Sequence, residues 1–471
     1  MFEWHYTTQK FADKPFYEID NVTKQPKTDE NGNPIIRQWK SYDNKYVKKV
    51  FTDKKLKDFR IVELLNSFGD MINPIYEMNI PKTYYCDIET DVSDDGFSDP
   101  EDALNPINTI SLTRFPETII FSRKNLTPEE QDYVQHQIDN YSYNNNGSDI
   151  TKGYKFIFKY YQSEREMLEA FVEYILDIPA ITGWNFLGFD WLYIFNRCKM
   201  HNIDLRRLSP TNTYTPFKIT PRSGGKTINV ELPTHKIIYD YLMVYKTWDQ
   251  SIEPKENNTL DFVAERALGI KKVKHKWGFK EFYEEHFADY VFYNCIDTIL
   301  VEHIDKVLKT SEIWYMLTSV LRIELNMAFS TIKPTEHVMC NFMYPQYKIF
   351  PVIKKAEVEQ SDYEGAFVWP TRPGIFKFIG GLDFASLYPS IIRQFLISPE
   401  MFLFKNPSYI PKKDEIKTKS GAVFKKSNDS IIPSILTHYF GLRKAAKNDK
   451  KDCNVEMEHL KHILEKRKGV I

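Results

Sequence analysis

Hydrophobic and polar residues alternate with two different periods along this chain. A period of two at 154–161 predicts a half-buried strand, and the stretches at 81–90 and 107–115 predict two more. From 163 to 176 apolar residues recur every three or four positions, after a capping box formed by Ser163 and Glu166, which predicts a helix with one buried face. Strands interleaved with helices favour a mixed α/β fold.

Further elements are predicted from local pattern and turn residues. A short buried strand begins at Ala180, and residues 141–149 are predicted to form a solvated loop. The stretch GGLDFASLYPSIIRQ predicts a strand that delivers Asp383 into a sharp turn followed by a helix. The remaining predictions are a hairpin with a Gly-Gly tip at 217–232, long helices at 288–308 and 311–330, and a helical stretch at 431–471.

Composition narrows the class of protein but not its partner. A hydrophobic fraction of 42% and an aromatic fraction of 15% exclude a disordered chain, and the net charge of −1 does not indicate a nucleic-acid partner. Five cysteines without a Cys-x-x-Cys pair suit a reducing compartment. The N-terminus does not resemble a signal peptide and no apolar run has membrane length, so we expect a soluble, cytoplasmic protein.

Candidate chemistry begins with carboxylates in three separated stretches. Asp87 and Glu89 lie two apart on a predicted strand, so both project from one face, whereas Cys86 and Ile88 point to the other. Side-by-side carboxylates are unfavourable unless a cation lies between them. Chance could also produce such a triplet in a chain with 64 acidic residues, so the pattern alone does not establish a site.

The second and third stretches add polar residues to a strand end and a helix. Asn185 follows the short strand, and Asp190 falls at a helix start, where an aspartate also serves as an ordinary cap. Tyr293 and Asp297 are four apart on a helix and share a face, which also fits a buried structural pair. Taken together, the three stretches can converge on two divalent metals that clamp the oxygens of a phosphodiester, with Tyr293 orienting the attacking water. Oxygen ligands suit Mg²⁺ or Mn²⁺.

These stretches resemble the three motifs of the 3′→5′ exonuclease domain of family B DNA polymerases, most closely those of large tailed phages. The matching residues are DIE at 87–89, NFLGFD at 185–190 and YNCID at 293–297. The resemblance implies a ribonuclease H-like domain in which Asp87, Glu89, Asp190 and Asp297 bind two metal ions. It further implies that Tyr293 assists the water, and that Asn185 and Phe189 contact DNA.

A second resemblance, to the polymerase palm of the same family, is carried by YEGAFVWP at 363–370 and by DFASLYPSI from Asp383 onward. It implies that Asp383 and the Phe384 carbonyl bind the catalytic metals, and that the N–H groups of Ser386 and Leu387 hold the triphosphate of a dNTP. Tyr388 would lie under the sugar. Two basic residues resemble the triphosphate-binding pair of the first fingers helix: Arg443 and Lys447.

The resemblance also implies a domain order. We expect an N-terminal mixed α/β domain at 1–81 with 313–360 returning to it, the exonuclease domain at 82–312, part of the palm at 361–435 and the start of the fingers at 436–471. The second palm motif, Asp-Thr-Asp, does not follow within this sequence. We therefore expect an incomplete palm and fingers that a separate C-terminal polypeptide completes, as in a split polymerase, although a truncated fragment also fits.

The expected protein is thus the N-terminal part of a replicative, proofreading DNA polymerase. Its expected partners are primer–template DNA, single-stranded 3′ ends, the C-terminal polypeptide, dNTPs once that polypeptide is present, and a sliding clamp through that polypeptide. Alone it is expected to excise 3′ nucleotides but not to extend a primer. Two alternatives stay open: a free-standing exonuclease with a vestigial palm, and a non-catalytic regulator that binds single-stranded DNA or RNA.

Overall fold

The computed structural model describes most of the chain after residue 80 and shorter pieces before it. The described residues are 2–6, 16–17, 20, 23–28, 30–34, 36–37, 39–42, 45–51, 71, 80–92, 96, 98–144, 150–219, 227–249, 257–330, 332–350, 370, 372–384 and 386–468. Residues 363–369 of the YEGAFVWP stretch and the Gly-Gly tip at 224–225 lie outside the described residues.

The strands of the described residues range from two to eight residues in length. In chain order they are β1 (Phe2–Tyr6), β2 (Phe16–Tyr17), β3 (Ile36–Arg37), β4 (Lys40–Ser41), β5 (Val47–Phe51), β6 (Thr83–Thr90), β7 (Ile107–Arg114), β8 (Glu117–Ser122), β9 (Lys155–Tyr160), β10 (Ala180–Thr182), β11 (Tyr214–Ile219), β12 (Ile228–Pro233), β13 (Ile237–Ile238), β14 (Lys348–Ile349), β15 (Phe402–Lys405), β16 (Glu415–Lys417) and β17 (Ala422–Lys425).

From residue 128 onward, helices are interspersed with the strands. They are α1 (Pro128–Asn144), α2 (Glu164–Tyr174), α3 (Asp190–Met200), α4 (Tyr241–Trp248), α5 (Leu260–Leu268), α6 (Phe279–Glu285), α7 (Phe287–Leu308), α8 (Thr310–Leu321), α9 (Ile332–Met343), α10 (Leu387–Phe395) and α11 (Ile431–Lys468). Among the described residues, none of these helices is long and apolar enough to cross a membrane.

The chain divides into two compact units. The first comprises Met1–Tyr76, Leu321–Ile323 and Ser330–Ile471, and the second comprises Glu77–Val320 and Glu324–Phe329. In the first unit, β1 pairs with β5, β4 pairs with β14, and β15, β17 and β16 form a three-stranded antiparallel sheet. The domain limits expected from the sequence remain predictions.

The second unit is built on a six-stranded mixed sheet with the order β13-β10-β6-β7-β8-β9. Strands β6, β7 and β8 form an antiparallel meander, whereas β10, β13 and β9 are added in parallel. The parallel additions require crossover connections, and helix α2 lies in the connection between β9 and β10. The mixed α/β fold predicted from the sequence is therefore confirmed.

The sheet has one apolar face, which α2 and α3 cover. Cys86 and Ile88 point into this core and are 1% and 5% exposed, as predicted. On α2, Ser163 Oγ accepts a hydrogen bond from Glu166 N, and the predicted stripe is buried from Met167 to Ile175. Burial of these side chains is the main favourable term holding the layer to the sheet.

The opposite face of the sheet is lined with hydroxyl groups and packs against α7. Thr298 of α7 lies 2.9 Å from Ser111 and 2.7 Å from Thr113, oxygen to oxygen, and Thr109 donates to Asn294 at 3.1 Å. At the far end of the helix, Tyr85 donates to Asp305 at 2.8 Å. Because every polar side chain in this layer needs a partner, these pairs fix the register of α7 on the sheet.

Three predicted elements differ from the structure. Residues 380–384 form no strand, because none of the described residues pairs with them and a strand needs a ladder partner. The helix predicted at 311–330 ends at Leu321, where Arg322 has a left-handed φ of 52°. The loop predicted at 141–149 is helical up to Asn144.

Candidate functional site

Strand β6 carries the first two carboxylates of the candidate site. Asp87 and Glu89 lie on the face of the sheet that α7 covers, and Glu89 is buried. Helix α7 adds a third carboxylate, Asp297, which is 3% exposed. One carboxylate oxygen from each of the three residues lies within 4.8 Å of the other two. The structure therefore gathers three of the four carboxylates that the exonuclease motifs predict to bind metal.

The fourth carboxylate, Asp190, is buried beside this group rather than within it. It is the first residue of α3, and its Oδ1 accepts a hydrogen bond of 3.1 Å from Ile88 N, between the two β6 carboxylates. The preceding turn approaches β6 closely. A Cβ on Gly183 would lie 2.2 Å from Cys86 O, so only glycine fits there.

The other two residues of the second motif lie toward solvent. Asn185 is exposed, adopts a left-handed φ of 61°, and its carbonyl accepts hydrogen bonds from Gly188 N and Phe189 N. Phe189 is half-buried, with its ring centroid 5.6 Å from that of Tyr193. Neither side chain takes part in the carboxylate group, so their predicted DNA contacts stay predictions.

The carboxylates share a strongly unfavourable electrostatic environment. Burial raises the pKa of Asp87 to about 7, the charge on Asp297 adds to this shift, and Lys272 and Asn294 oppose it. Burial also raises the pKa of Glu89, with further contributions from Asp87 and Asp297. For Asp190, burial raises the pKa first and Asp87 second. A nearby cation would therefore stabilise the ionised group.

Lys272 supplies one positive charge at the site and was not predicted from the sequence. Its Nζ lies 2.5 Å from Asp297 Oδ2 and 4.9 Å from the centre of the Tyr293 ring. Asp297 Oδ1 is buried and accepts no hydrogen bond from the part of the chain that the structure describes. Among the described residues, one oxygen of this carboxylate is thus paired with a cation and the other accepts no hydrogen bond.

Asn294 is the second residue that sequence reasoning missed. Its Nδ2 donates a 2.7 Å hydrogen bond to Asp87 Oδ2, while its Oδ1 accepts from Thr109 on β7. The side chain is fully buried, so both contacts are isolated from water. Its position inside the YNCID stretch was the available signal.

Tyr293 lies on the same face of α7 as Asp297, as its spacing predicted. The side chain is half-buried, and burial and the charge on Asp297 raise the pKa of its hydroxyl group, in that order. The phenol therefore stays protonated at neutral pH and can donate a hydrogen bond. The ring also contacts His275 edge-on, with centroids 5.5 Å apart.

The predicted palm residues lie in the first unit. Asp383, Phe384 and Tyr388 are exposed, and Ser386 and Leu387 form the cap and first residue of α10. Asp383 belongs to no carboxylate group among the described residues. A cavity of about 460 Å³ brings together basic residues of α10 and α11, with these lining residues: Arg393, Thr437, Phe440, Gly441, Arg443, Lys444 and Lys447.

Comparisons with known proteins cover most of the chain. Residues 36–253 match the family model "DNA polymerase family B, exonuclease domain", and residues 329–471 match "DNA polymerase family B". Asp87, Glu89 and Asp190 fall inside the first match. Tyr293 and Asp297 lie between the two matches, so their place in the site depends on the geometry.

Curated relatives include the DNA-directed DNA polymerases of Escherichia phage RB69 and Enterobacteria phage T4. Each is 27% identical to this chain; the alignments cover 83% and 88% of this chain and 44% and 47% of the relatives. The DNA polymerase delta catalytic subunit of Glycine max is 39% identical over 25% of this chain and 11% of its own length. The chain thus spans about half the length of the phage relatives it matches.

Proposed function

The chain belongs to DNA polymerase family B and includes the ribonuclease H-like exonuclease domain of that family, and we propose that this domain removes nucleotides from the 3′ end of single-stranded DNA. The observation that carries the proposal is the convergence of Asp87, Glu89 and Asp297, whose ligand oxygens lie within 4.8 Å of one another. The domain would proofread newly made DNA.

Exonuclease domains of this family use divalent metal ions, and the residues of the site fit such ions. All the gathered ligands are carboxylate oxygens, which suit Mg²⁺ or Mn²⁺. Asp297 Oδ1 is buried and accepts no hydrogen bond from the described residues, so it would be free to bind an ion. We propose that Asp87, Glu89 and Asp297, with Asp190, hold two ions. Bound there, the ions would stabilise the attacking and leaving oxygens of the phosphodiester.

The remaining residues of the site would hold the ligands and the substrate. Asn294 fixes the orientation of Asp87 through the 2.7 Å hydrogen bond, and the backbone N–H of Ile88 fixes Asp190. Tyr293, kept protonated by burial, would orient the attacking water. The exposed Asn185 and the half-buried Phe189 would contact the DNA strand.

The palm residues support a second, incomplete site. Asp383 and the Phe384 carbonyl would hold the catalytic metals, the N–H groups of Ser386 and Leu387 the triphosphate, and Tyr388 would lie under the sugar. Arg443 and Lys447, which line one cavity, would bind the same triphosphate. We propose that a separate C-terminal polypeptide supplies the second palm carboxylate and the contact with a sliding clamp.

Digestion of a single-stranded oligonucleotide in the presence of Mg²⁺ tests the nuclease. We expect shortening from the 3′ end, its loss on chelation, and its loss in the variant Asp87→Ala with oligonucleotide binding retained. A matched control is Asp132→Ala, which removes an exposed carboxylate on α1 and should leave digestion unchanged. Undiminished digestion by Asp87→Ala would refute the site.

The digestion assay, together with the sequence of the downstream DNA, separates the proposal from its alternatives. Binding without digestion in either Mg²⁺ or Mn²⁺ would favour a regulator that binds single strands. Digestion without any polymerase-encoding frame downstream in the DNA would favour a free-standing exonuclease. A downstream frame that encodes the Asp-Thr-Asp motif would support the split polymerase.

A further inference from the structure

A short basic stretch leads away from the candidate nuclease site. In residues 271–280, named the lysine segment from here on, exposed lysines alternate with half-buried aromatic residues: Lys274, His275, Lys276, Trp277, Phe279 and Lys280. Basic residues interleaved with aromatic ones are typical of surfaces that follow a single nucleic-acid strand. If the segment were an ordinary solvent-exposed surface without a binding role, it would have no reason to lie next to the carboxylate group.

The lysine segment is tied to the carboxylates at its N-terminal end. Lys272 Nζ contacts Asp297 Oδ2, and the Lys272 backbone N–H donates to Asp261 at 2.8 Å. Lys276 lies four positions after Lys272, so their Cα atoms are at most about 14 Å apart. The exposed lysines therefore lie within a few nucleotides' reach of the site.

Aromatic contacts hold the segment in place. The His275 ring stacks on Phe282 with centroids 4.3 Å apart, and the Trp277 ring stacks on His286 at 3.9 Å. His275 Nδ1 also lies 2.9 Å from Trp277 O. A backbone supported in this way presents its lysines without a large additional loss of conformational entropy on binding.

The positive charge of the segment is only partly neutralised within the protein. Lys271 pairs with Glu265 at 2.9 Å, and Lys272 with Asp297. Lys274, Lys276 and Lys280 are exposed and form no ion pair with the described residues. Helix α6 begins at Phe279, inside the segment, and carries three exposed carboxylates directly after Lys280: Glu281, Glu284 and Glu285.

We propose that Lys274 and Lys276 bind phosphates of the single strand whose 3′ end occupies the carboxylate site. This inference rests on the proposed nuclease function and names a surface that would hold the strand behind the nucleotide being removed. Because the contact is to phosphate, it would be independent of base sequence and would weaken as salt rises.

Binding of a fluorescent single-stranded oligonucleotide tests the inference in the Asp87→Ala background, where digestion does not interfere. The test variant is Lys274→Glu with Lys276→Glu, and the matched control is Lys152→Glu with Lys155→Glu, two exposed lysines of the same unit. We expect the test variant to bind at least about 10-fold more weakly. Its log–log salt slope should be smaller by about 1.4, since each single-strand phosphate contact contributes about 0.7. The control should match the parent.

Each outcome has a definite reading. Equal affinity and salt slope in the test and control variants would overturn the inference. If the test variant loses polyglutamate binding by the same factor as oligonucleotide binding, the inference is also overturned, because that result indicates a general anion-binding surface. A loss confined to duplex DNA would also overturn it. If the unmutated site does not digest DNA but the test variant still loses single-strand binding, the proposed function fails and the binding surface stands. Thermal unfolding midpoints matching the control verify folding.

Discussion

At the scale of single residues, Asn294 links the sheet to the carboxylate group. It joins Thr109 on β7 to Asp87 on β6 from a position on α7. A side chain that orients a ligand without binding the ion itself typically changes metal affinity or activity by about 10- to 100-fold when it is removed. We therefore propose that Asn294 acts as a positioning residue for the proposed metal site.

Replacing Asn294 by Ala should lower the digestion rate by about 10- to 100-fold at limiting Mg²⁺, because Asp87 loses the hydrogen bond that orients it. The measurement is the initial rate across a range of Mg²⁺ concentrations, and the half-saturating concentration should rise. Thr109→Val, which removes only the contact behind Asn294, serves as a milder comparison. An unchanged Mg²⁺ dependence would contradict the positioning role.

The residues of the site differ in how far the sequence predicts them. Asp87 and Glu89 were found because strand periodicity places them on one face, and Tyr293 with Asp297 because helix periodicity does the same. Lys272 lies in an irregular segment, where no periodicity indicates the direction of a side chain. Asn294 lies on α7, which is buried on nearly all sides, so burial alone does not single it out.

At the scale of elements, one buried ion pair connects α2 and α3. Arg197 Nε donates to Glu164 Oε1 at 2.8 Å, a second contact joins Arg197 Nη2 to Glu164 Oε2, and Ile107 N also donates to Glu164. Helix α3 begins with Asp190, so this pair anchors the helix that carries part of the candidate site.

Arg197→Met should destabilise the second unit by about 3–5 kcal/mol, because the buried Glu164 carboxylate loses its guanidinium partner and keeps only the contacts with His201 and the Ile107 N–H. The double variant Glu164→Leu with Arg197→Met should lose less, since neither charge is then left unpaired. Urea unfolding followed by circular dichroism measures both. Equal losses in the single and double variants would show that packing, rather than the unpaired charge, causes the effect.

The elements differ in how much of their information lies in the local sequence. The helix after Ser163 followed from its cap and its stripe, both of which are encoded within a dozen residues. The strand expected at 380–384 depends on a ladder partner that local sequence does not specify. The end of α8 at Leu321 depends on the left-handed conformation of Arg322, a residue whose type gives no such signal.

At the scale of the whole molecule, net charge is a poor guide to the partner. The total of −1 conceals three converging carboxylates and a separate segment of exposed lysines. Opposite local charges cancel in the sum, although each acts over about one Debye length, roughly 8 Å at physiological ionic strength. Periodicity along the sequence also does not predict that distant residues meet in space. Asp87 and Asp297, for example, are 210 positions apart in the sequence.

The two proposed sites should be separable in a reconstituted enzyme. On the proposal that a separate C-terminal polypeptide completes the polymerase, co-expression with that polypeptide should yield templated DNA synthesis that Asp383→Ala abolishes while digestion persists. Asp87→Ala should have the reverse effect, because the two carboxylates belong to different units. Primer extension and 3′ digestion on one labelled substrate measure both activities. Synthesis that survives Asp383→Ala would refute the palm assignment.

Helix α7 carries Tyr293, Asn294 and Asp297 near its middle and Asp305 near its end, where Tyr85 holds it. Asp297 and Asp305 are eight residues apart, about 12 Å along the axis. These side chains therefore lie on one rigid helix, and helical geometry, not the sheet, sets the spacing between them. A displacement of α7 along its axis would therefore move Tyr293, Asn294 and Asp297 together. We expect such a displacement to affect all three residues of the candidate site at once.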